Sequence, residues 1–283
     1  MKKSINAWTF PDSYDFEEVL CAAKTAGFDA VEFNVDAVGV ESKHAFTIES
    51  DEALIKSVAD KAQELGIKVV SISSSLHSGM WSRTDPETVV FREKVLRKQL
   101  RIAQIFGADG ILLVPGGMCD GMLLSEARKN SIASLKAMIP VIKEYGVTVC
   151  LENVWNGFFL SPYDMVSFLK DLDSDAFALY FDLGNMVAFS NTEYWADVVA
   201  PYVGKIHIKD YKRTNGINRG GVFCQLLEGD VDFKRSMAIL KKAGFDGYMT
   251  AEVTKSDPEM TYPDYFASIS KAEDVIAGYY NEA

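Results

Sequence analysis

One pattern recurs five times along the chain: an amphipathic stretch, a glycine, and then a short run rich in β-branched and aromatic residues. The glycines are Gly27, Gly66, Gly107, Gly146 and Gly244. Glycine at this place is typical of a helix C-terminus, because the residue that follows a helix often adopts a left-handed backbone conformation. The pattern therefore predicts helices that end at a glycine and lead directly into strands.

Three further apolar runs complete a set of eight predicted strands and eight predicted helices. The strands are expected at 4–8, 30–35, 68–73, 110–114, 148–154, 177–181, 205–208 and 248–253. The helices are expected at 15–26, 51–65, 86–106, 124–145, 162–171, 193–200, 232–243 and 264–280. The strands are continuous apolar runs, which is typical of parallel strands covered on both faces. Eight such units favour one TIM (β/α)8 barrel domain over residues 1–283; a doubly wound open sheet is the alternative, but no glycine-rich phosphate loop follows the first strand.

Charge and composition exclude several classes of protein. The chain has 29 basic and 40 acidic residues, a net charge of −11, which argues against a nucleic-acid partner. No apolar run is long enough to predict a membrane-spanning helix. The four cysteines form no CxxC pair, and the first residues do not resemble a signal peptide. We therefore expect a cytoplasmic protein with reduced thiols.

Polar side chains stand where four consecutive predicted strands end. They are Glu152, Asp182, His207 and Glu252. The active site of a TIM barrel lies at this end of the strands, so the four side chains are expected to meet. Three carboxylates close together repel one another unless a cation neutralises them. Oxygen donors with one imidazole suit Mn²⁺, which is the cofactor we expect, with Co²⁺, Mg²⁺ or Zn²⁺ as alternatives.

Five segments carry a resemblance to a known family. They are Leu-Glu-Asn at 151–153, Tyr-Phe-Asp-Leu-Gly-Asn at 180–185, Ile-His-Ile-Lys-Asp at 206–210, Glu-Gly-Asp-Val-Asp at 228–232 and Thr-Ala-Glu at 250–252. With them, nearly the whole chain resembles the xylose isomerase-like TIM barrels, the sugar phosphate isomerase/epimerase family. Within that family it is most similar to ketose 3-epimerases and to L-ribulose- or hexulose-phosphate 3-epimerases.

The resemblance implies a function for the predicted metal ligands. It implies that all four bind one divalent metal ion, and that Glu152 and Glu252 also flank the substrate as an acid/base pair. Such a pair is chemically reasonable, because epimerisation beside a carbonyl removes a proton from one face of a carbon and returns one to the other. Asn185 and Phe158 replace a His and a Glu of the free-ketose epimerases. The Gly-Asn form is frequent among members that act on sugar phosphates, so this departure favours a phosphorylated substrate.

Further residues are candidates for substrate binding. They are Asn185, Arg213, Lys209, His77, Glu32 and Trp8. Residues 209–219 carry a local charge of +3 and precede Gly220 and Gly221, which is compatible with a phosphate site or with an ordinary solvated loop. Glu32 is expected to bind substrate or to cap a strand, and Trp8 to form a wall of the sugar site or to pack. His44 is expected to be solvated.

These observations predict an enzyme of carbohydrate metabolism that epimerises or isomerises a ketose or ketose phosphate through an enediolate. A dehydratase (lyase) acting on a keto-inositol or keto-sugar is one alternative, and a non-catalytic sugar-binding barrel is another. The expected partner is a small sugar or sugar phosphate, with neither nucleic acid nor membrane. The sequence does not determine the oligomeric state; a homodimer and a homotetramer are both compatible with it.

Overall fold

The computed structural model describes residues 1–119 and 121–283. Eight strands form a closed barrel in these ranges. They are β1 (Lys2–Asn6), β2 (Ala30–Asp36), β3 (Lys68–Ser73), β4 (Gly110–Leu113), β5 (Thr148–Glu152), β6 (Phe177–Asp182), β7 (Val203–Ile208) and β8 (Tyr248–Ala251). Each strand pairs in parallel with the next, and β1 pairs with both β2 and β8, which closes the sheet. The predicted single-domain TIM barrel is therefore confirmed.

Among the described residues, eight α-helices connect the strands and cover the barrel. They are α1 (Phe16–Ala26), α2 (Glu52–Leu65), α3 (Pro86–Phe106), α4 (Leu124–Tyr145), α5 (Pro162–Leu172), α6 (Thr192–Val199), α7 (Phe233–Lys242) and α8 (Tyr262–Glu282). The apolar core lies between these helices and the outward faces of the strands. Across the described ranges, no helix combines the length and the apolar character that crossing a membrane requires.

The repeated glycines end helices as predicted. Gly27, Gly66, Gly107 and Gly146 each follow a helix directly and have φ between 63° and 89°. Gly244 also has a positive φ of 88°, but one residue separates it from the end of α7. Side-chain caps fix the opposite ends, as in α1, where Asp15 and Glu18 form a reciprocal capping box. Local sequence thus determines where most helices begin and end.

Two local predictions were wrong. The first strand ends at Asn6, so Trp8 lies in a short 3-10 turn at Ala7–Thr9 and not on a strand. The Asn6 side chain accepts a hydrogen bond from the Trp8 backbone and stabilises that turn. The segment after β7 is not an irregular loop: Asp210–Arg213 pairs antiparallel with Gly221–Cys224 as a hairpin. A two-residue strand at Phe46–Thr47 also pairs with β2.

The register of the strands brings polar residues into the barrel interior. Glu152 lies beside Tyr180, Asp182 lies beside His207, and His207 lies beside Thr250. Side chains on a strand alternate between faces, so Tyr180 and Asp182 both point inward. Glu252 directly follows β8, two residues after Thr250 and therefore on the same face of the strand. The carboxyl end of the barrel is therefore lined by ionisable groups from neighbouring strands.

Candidate metal centre and active site

The four predicted metal ligands converge at the carboxyl end of the barrel. One ligand atom from each of Glu152, Asp182, His207 and Glu252 lies within 4.8 Å of the others. Asp182 and His207 are fully buried, and Glu152 is nearly so, while the side chain of Glu252 keeps 22% of its exposure. The cluster is therefore closed toward the barrel interior and open to solvent on the side of Glu252.

His207 presents one ring nitrogen to all three carboxylates. Its Nδ1 lies 2.9 Å from Glu252 Oε2, 3.2 Å from Glu152 Oε1 and 4.0 Å from Asp182 Oδ2. Its Nε2 lies on the other side of the ring, 2.6 Å from Glu32 Oε1. Burial would lower the pKa of His207, but the charges of Glu32 and Glu252 raise it well above its usual value.

The loop after β6 holds Asp182 in a fixed orientation. Its Oδ1 accepts hydrogen bonds from the backbone N–H groups of Gly184 and Asn185, both at 2.8 Å. Its Oδ2 is buried and accepts no hydrogen bond from the described residues, although Lys209 Nζ lies 3.2 Å away. A Cβ on Gly184 would collide with Lys209, so glycine is required where this loop passes β7.

Lys209 supplies the positive charge nearest to the cluster. Its Nζ lies 2.9 Å from Glu252 Oε2 as well as 3.2 Å from Asp182 Oδ2. Burial would lower the pKa of Lys209, but the carboxylates of Asp182 and Glu252 raise it above its usual value, so the ammonium stays charged. One ammonium offsets only part of the charge of three carboxylates.

The two glutamates of the cluster have different environments. Burial raises the pKa of Glu152 to about 7, although the hydrogen bond with His207 acts in the opposite direction. Burial also acts to raise the pKa of Glu252, but the charges of Lys209 and His207 lower it to about 2. Neighbouring carboxyls whose environments separate their pKa values are frequent in acid/base sites.

The donor set fits a divalent cation. Three carboxylates, one imidazole nitrogen and a buried Asp182 oxygen that accepts no hydrogen bond from the described residues match the donors of divalent-metal sites. Glu32 completes a carboxylate–imidazole pair behind His207, an arrangement common at metal-binding histidines. The residues that would hold the cation are thus Glu152, Asp182, His207 and Glu252.

Aromatic side chains surround the open side of the cluster. A cavity of about 280 Å³ is lined by Lys209 and Glu252, by Trp8 and Phe223, and by the segment 253–256 after β8. Trp155 packs on Phe223, with ring centroids 5.1 Å apart. Such a cavity, with apolar walls and a few charged groups, is typical of a small-molecule site.

The remaining predicted substrate contacts fall into two groups. Trp8, Lys209 and Asn185 lie at the cluster or its cavity; the Asn185 Oδ1 is 3.4 Å from Lys209 Nζ. Glu32 and His77 do not reach the cavity, because both are fully buried. Glu32 binds His207, whereas His77 lies between Gln99 and the indole N–H of Trp81.

The predicted anion site lies on the hairpin after β7, where most cations already have partners within the protein. The guanidinium of Arg213 donates to the backbone carbonyls of Val187 and Ser190 and to the side-chain oxygen of Asn191. Lys212 forms an ion pair with Asp230, and Lys209 faces the acidic cluster. Three of the four cations in residues 209–219 are therefore already paired within the protein.

Burial corrects the expectation for His44 and shows the environment of Phe158. His44 is not solvated: only 2% of it is exposed, and its ring nitrogens contact the backbone oxygens of Tyr14 and Ala7. Phe158 is buried against Phe159 and Phe168, so this position contributes to the core and not to the cavity.

Three residues of the site were not anticipated. Asn153 exchanges two hydrogen bonds of 2.9 Å with the backbone of Asp182, and the Tyr180 hydroxyl donates to Glu32 at 2.8 Å. Phe223 reaches the cavity from the hairpin. The two-residue periodicity that links Tyr180 to Asp182 was a usable signal for Tyr180, whereas Phe223 gave none without the hairpin.

Comparisons with known proteins agree with this architecture. A model of the xylose isomerase-like TIM barrel family matches residues 20–272. The L-ribulose-5-phosphate 3-epimerase UlaE of Escherichia coli K12 is 27% identical over 264 residues, which cover 92% of this chain and 88% of that protein.

Solved structures share the fold at low sequence identity. D-psicose 3-epimerase with D-tagatose, from Clostridium cellulolyticum H10, superposes with a TM-score of 0.80 at 14% identity over 99% of each chain. The IOLI protein with a bound zinc atom superposes with a TM-score of 0.78 at 17% identity, also over 99% of each chain. Since the family model spans most of the sequence, the chain belongs to the xylose isomerase-like TIM barrel family.

Proposed function

We propose that this protein is a divalent-metal-dependent 3-epimerase of a ketose or ketose phosphate. The observation that carries the proposal is the pair Glu152 and Glu252, which approach the same nitrogen of His207 from two strand ends, with Glu252 lining an open cavity. Homology to an L-ribulose-5-phosphate 3-epimerase supports a ketopentose phosphate as the substrate class.

The two glutamates would perform the proton transfers. One carboxylate removes the proton from the carbon next to the ketone, which leaves an enediolate, and the other returns a proton to the opposite face. Bound by Glu152, Asp182, His207 and Glu252, a divalent cation would stabilise the negative charge of the enediolate. Mn²⁺ is the ion we propose, on the basis of the mixed oxygen and nitrogen donors. Asp182 and His207 have no part in the proton transfer.

Side chains around the cavity would bind and shield the sugar. Lys209 and Asn185 stand beside the carboxylates and can bind hydroxyl groups, while Trp8 covers the open side. The arrangement of Arg213, Glu32 and His77 supports structural roles for these three residues and not substrate contact. Lys255 lines the same cavity and is the residue we propose for the phosphate.

Deuterium exchange tests the reaction. Purified protein loaded with Mn²⁺ is incubated in D₂O with L-ribulose 5-phosphate, and the recovered sugars are analysed by NMR. We expect the C3 epimer and deuterium at C3 of both sugars, without loss of water. A dehydrated product would identify a lyase, and recovery of unlabelled substrate would indicate a non-catalytic sugar-binding protein. Either outcome contradicts the proposal.

Substitution of the glutamates tests the acid/base pair. Glu152→Gln and Glu252→Gln should each lower the epimerisation rate about 10²–10⁴-fold, because Gln keeps the shape but cannot accept the proton. Glu193→Gln is the matched control, since Glu193 is a nearly buried carboxylate that faces Arg235 outside the site. An unchanged rate in either site variant would remove that residue from the pair.

Lys255→Met separates the substrate classes. If Lys255 binds the phosphate, this variant should raise KM for L-ribulose 5-phosphate about tenfold or more, because a charge-assisted contact is lost. The KM for unphosphorylated L-ribulose should not change. Equal effects on the two sugars would contradict a phosphate site at Lys255.

The cytoplasmic location that we propose agrees with four free cysteines.

A further inference from the structure

A buried carboxylate lies below the proposed metal centre and away from the substrate cavity. Glu32 stands in the middle of β2, points into the barrel and has no exposed surface. Its Oε1 contacts the Nε2 of His207 across the barrel at 2.6 Å. Glu152 and Glu252 lie at Nδ1, on the opposite side of the same ring.

Other strands hold this carboxylate in place. Asn6 Nδ2 donates to Glu32 Oε1 at 2.6 Å from β1, and the Tyr180 hydroxyl donates to Oε2 at 2.8 Å from β6. Asn6 also donates to Ser73 and so connects to β3. Both oxygens of Glu32 are therefore paired, and its orientation is fixed by one donor from the neighbouring strand β1 and one from β6 across the barrel.

The location of Glu32 argues against direct contact with a substrate. A fully buried carboxylate is costly unless it is paired with hydrogen-bond donors, so its presence here indicates a specific interaction. The interaction in which a carboxylate is stronger than a neutral acceptor is the one with His207, because an imidazole that binds a cation through one nitrogen carries a proton on the other, and a charged acceptor strengthens that hydrogen bond. A carboxylate at Nε2 selects that tautomer and prevents rotation of the ring.

We infer that Glu32 is a positioning residue of the metal centre: it accepts the hydrogen bond from the Nε2–H of His207 and leaves Nδ1 free for the cation. Tyr180 and Asn6 support it by fixing the carboxylate. The inference rests on the metal site of the proposed function, but it assigns a role to residues that contact neither the cation nor the sugar.

Direct metal titration tests the inference without an activity assay. Protein freed of metal by chelation is titrated with Mn²⁺, and the free ion is measured by electron paramagnetic resonance. Glu32→Gln should weaken Mn²⁺ binding about 10- to 100-fold, as is typical when such a partner is lost. Tyr180→Phe should give a smaller loss in the same direction, and it removes only one hydroxyl if Glu32→Gln fails to fold. Glu193→Gln is again the matched control and should bind Mn²⁺ like the wild type.

A spectroscopic measurement separates positioning from general stability. In the Zn²⁺-loaded wild type, the Nε2–H proton of His207 should give a strongly downfield NMR signal, because it is hydrogen-bonded to a buried carboxylate. The signal should move upfield in Glu32→Gln. Wild-type affinity and an unchanged signal in a folded Glu32→Gln variant would overturn the inference. If the wild type itself binds no divalent cation, the metal site of the proposed function fails instead.

Discussion

The three histidines have different contact partners, and these partners indicate a different role for each of them. All are buried: His44 contacts two backbone oxygens, His77 lies between Gln99 and Trp81, and His207 lies among carboxylates. His77 accepts from the Trp81 indole N–H at 3.1 Å, so its other nitrogen carries the proton that Gln99 accepts. Only His207 has acidic partners on both sides, and only His207 is suited to bind a cation.

The burial of His77 predicts a pH-dependent stability. Burial lowers the pKa of His77 to about 4, whereas in the unfolded chain it returns to about 6.5. Between these values the unfolded chain binds a proton that the folded protein does not, so the free energy of unfolding falls as the pH falls. From pH 7 to pH 5 we expect a loss of about 2 kcal/mol from this residue.

Urea unfolding of the wild type and of His77→Gln at both pH values measures this contribution. The stability difference between the two proteins should change by about 2 kcal/mol between pH 7 and pH 5, because Gln does not titrate there. A difference that stays constant with pH would show that His77 does not become protonated on unfolding in this range.

At the level of elements, the hairpin after β7 joins the acidic cluster around His207 to the neighbouring loops. Asp210 accepts hydrogen bonds from the backbone N–H groups of Tyr211, Gly229 and Val231, which fix the return of the chain toward α7. Arg213 connects the same hairpin to the loop that follows Asp182 and contains Asn185. The hairpin thereby places Lys209 at its base and Phe223 over the cavity.

Arg213 should therefore act mainly on stability. Arg213→Lys keeps the charge but cannot reproduce the planar set of donors that reaches Val187, Ser190 and Asn191. We expect it to destabilise the protein by about 1–3 kcal/mol, close to the effect of Arg213→Ala, in chemical denaturation. Full stability in Arg213→Lys, with a loss confined to the KM for substrate, would instead show that Arg213 binds the sugar or its phosphate.

Gly229 provides a second test of the hairpin. A Cβ at this position would overlap the carboxylate of Asp210, so Gly229→Ala should displace Asp210 and lower the free energy of unfolding by about 1–3 kcal/mol. Gly278→Ala in α8 is the matched control: a Cβ at that position would meet nothing within 4 Å, and Ala favours a helix. Thermal unfolding should show opposite shifts; equal shifts would contradict the close approach at Gly229.

At the level of the whole molecule, barrel closure concentrates acidic groups that are far apart in the sequence. Glu32, Glu152, Asp182 and Glu252 come from four strands or strand ends and surround His207. Lys209 and His207 offset only part of this charge, so the folded barrel carries an electrostatic cost that a bound cation would relieve. Metal binding should therefore stabilise the entire fold.

Thermal unfolding with and without metal measures this coupling. At a Mn²⁺ concentration about 100 times the Kd, the free energy of unfolding should rise by about 2.7 kcal/mol, and Tm by about 5–10 °C. EDTA should reverse the shift. Asp182→Asn is the control variant and should show little or no shift, because it loses a charged ligand. Identical Tm values for the wild type in Mn²⁺ and in EDTA would contradict a resident metal ion.

The sequence by itself determined the barrel and the four residues at its carboxyl end. Gly27, Gly66, Gly107 and Gly146 mark helix ends by a local backbone requirement, and the apolar runs that follow them mark parallel strands. Once eight such units are recognised, the ends of the strands have to meet, because a closed parallel sheet places them at one rim. Local rules and one topological rule were therefore sufficient.

Only the tertiary structure decided which polar residues face the cavity and which are buried partners. Glu32 and Lys209 look alike in the sequence as charged residues on or just after a strand, yet Glu32 lies behind His207 and Lys209 lies beside the open site. Arg213 donates to backbone oxygens of another loop, which supports a structural role for it. Such assignments depend on strand register, barrel closure and burial. These properties arise from contacts between segments that are remote in the sequence, and no local pattern encodes them.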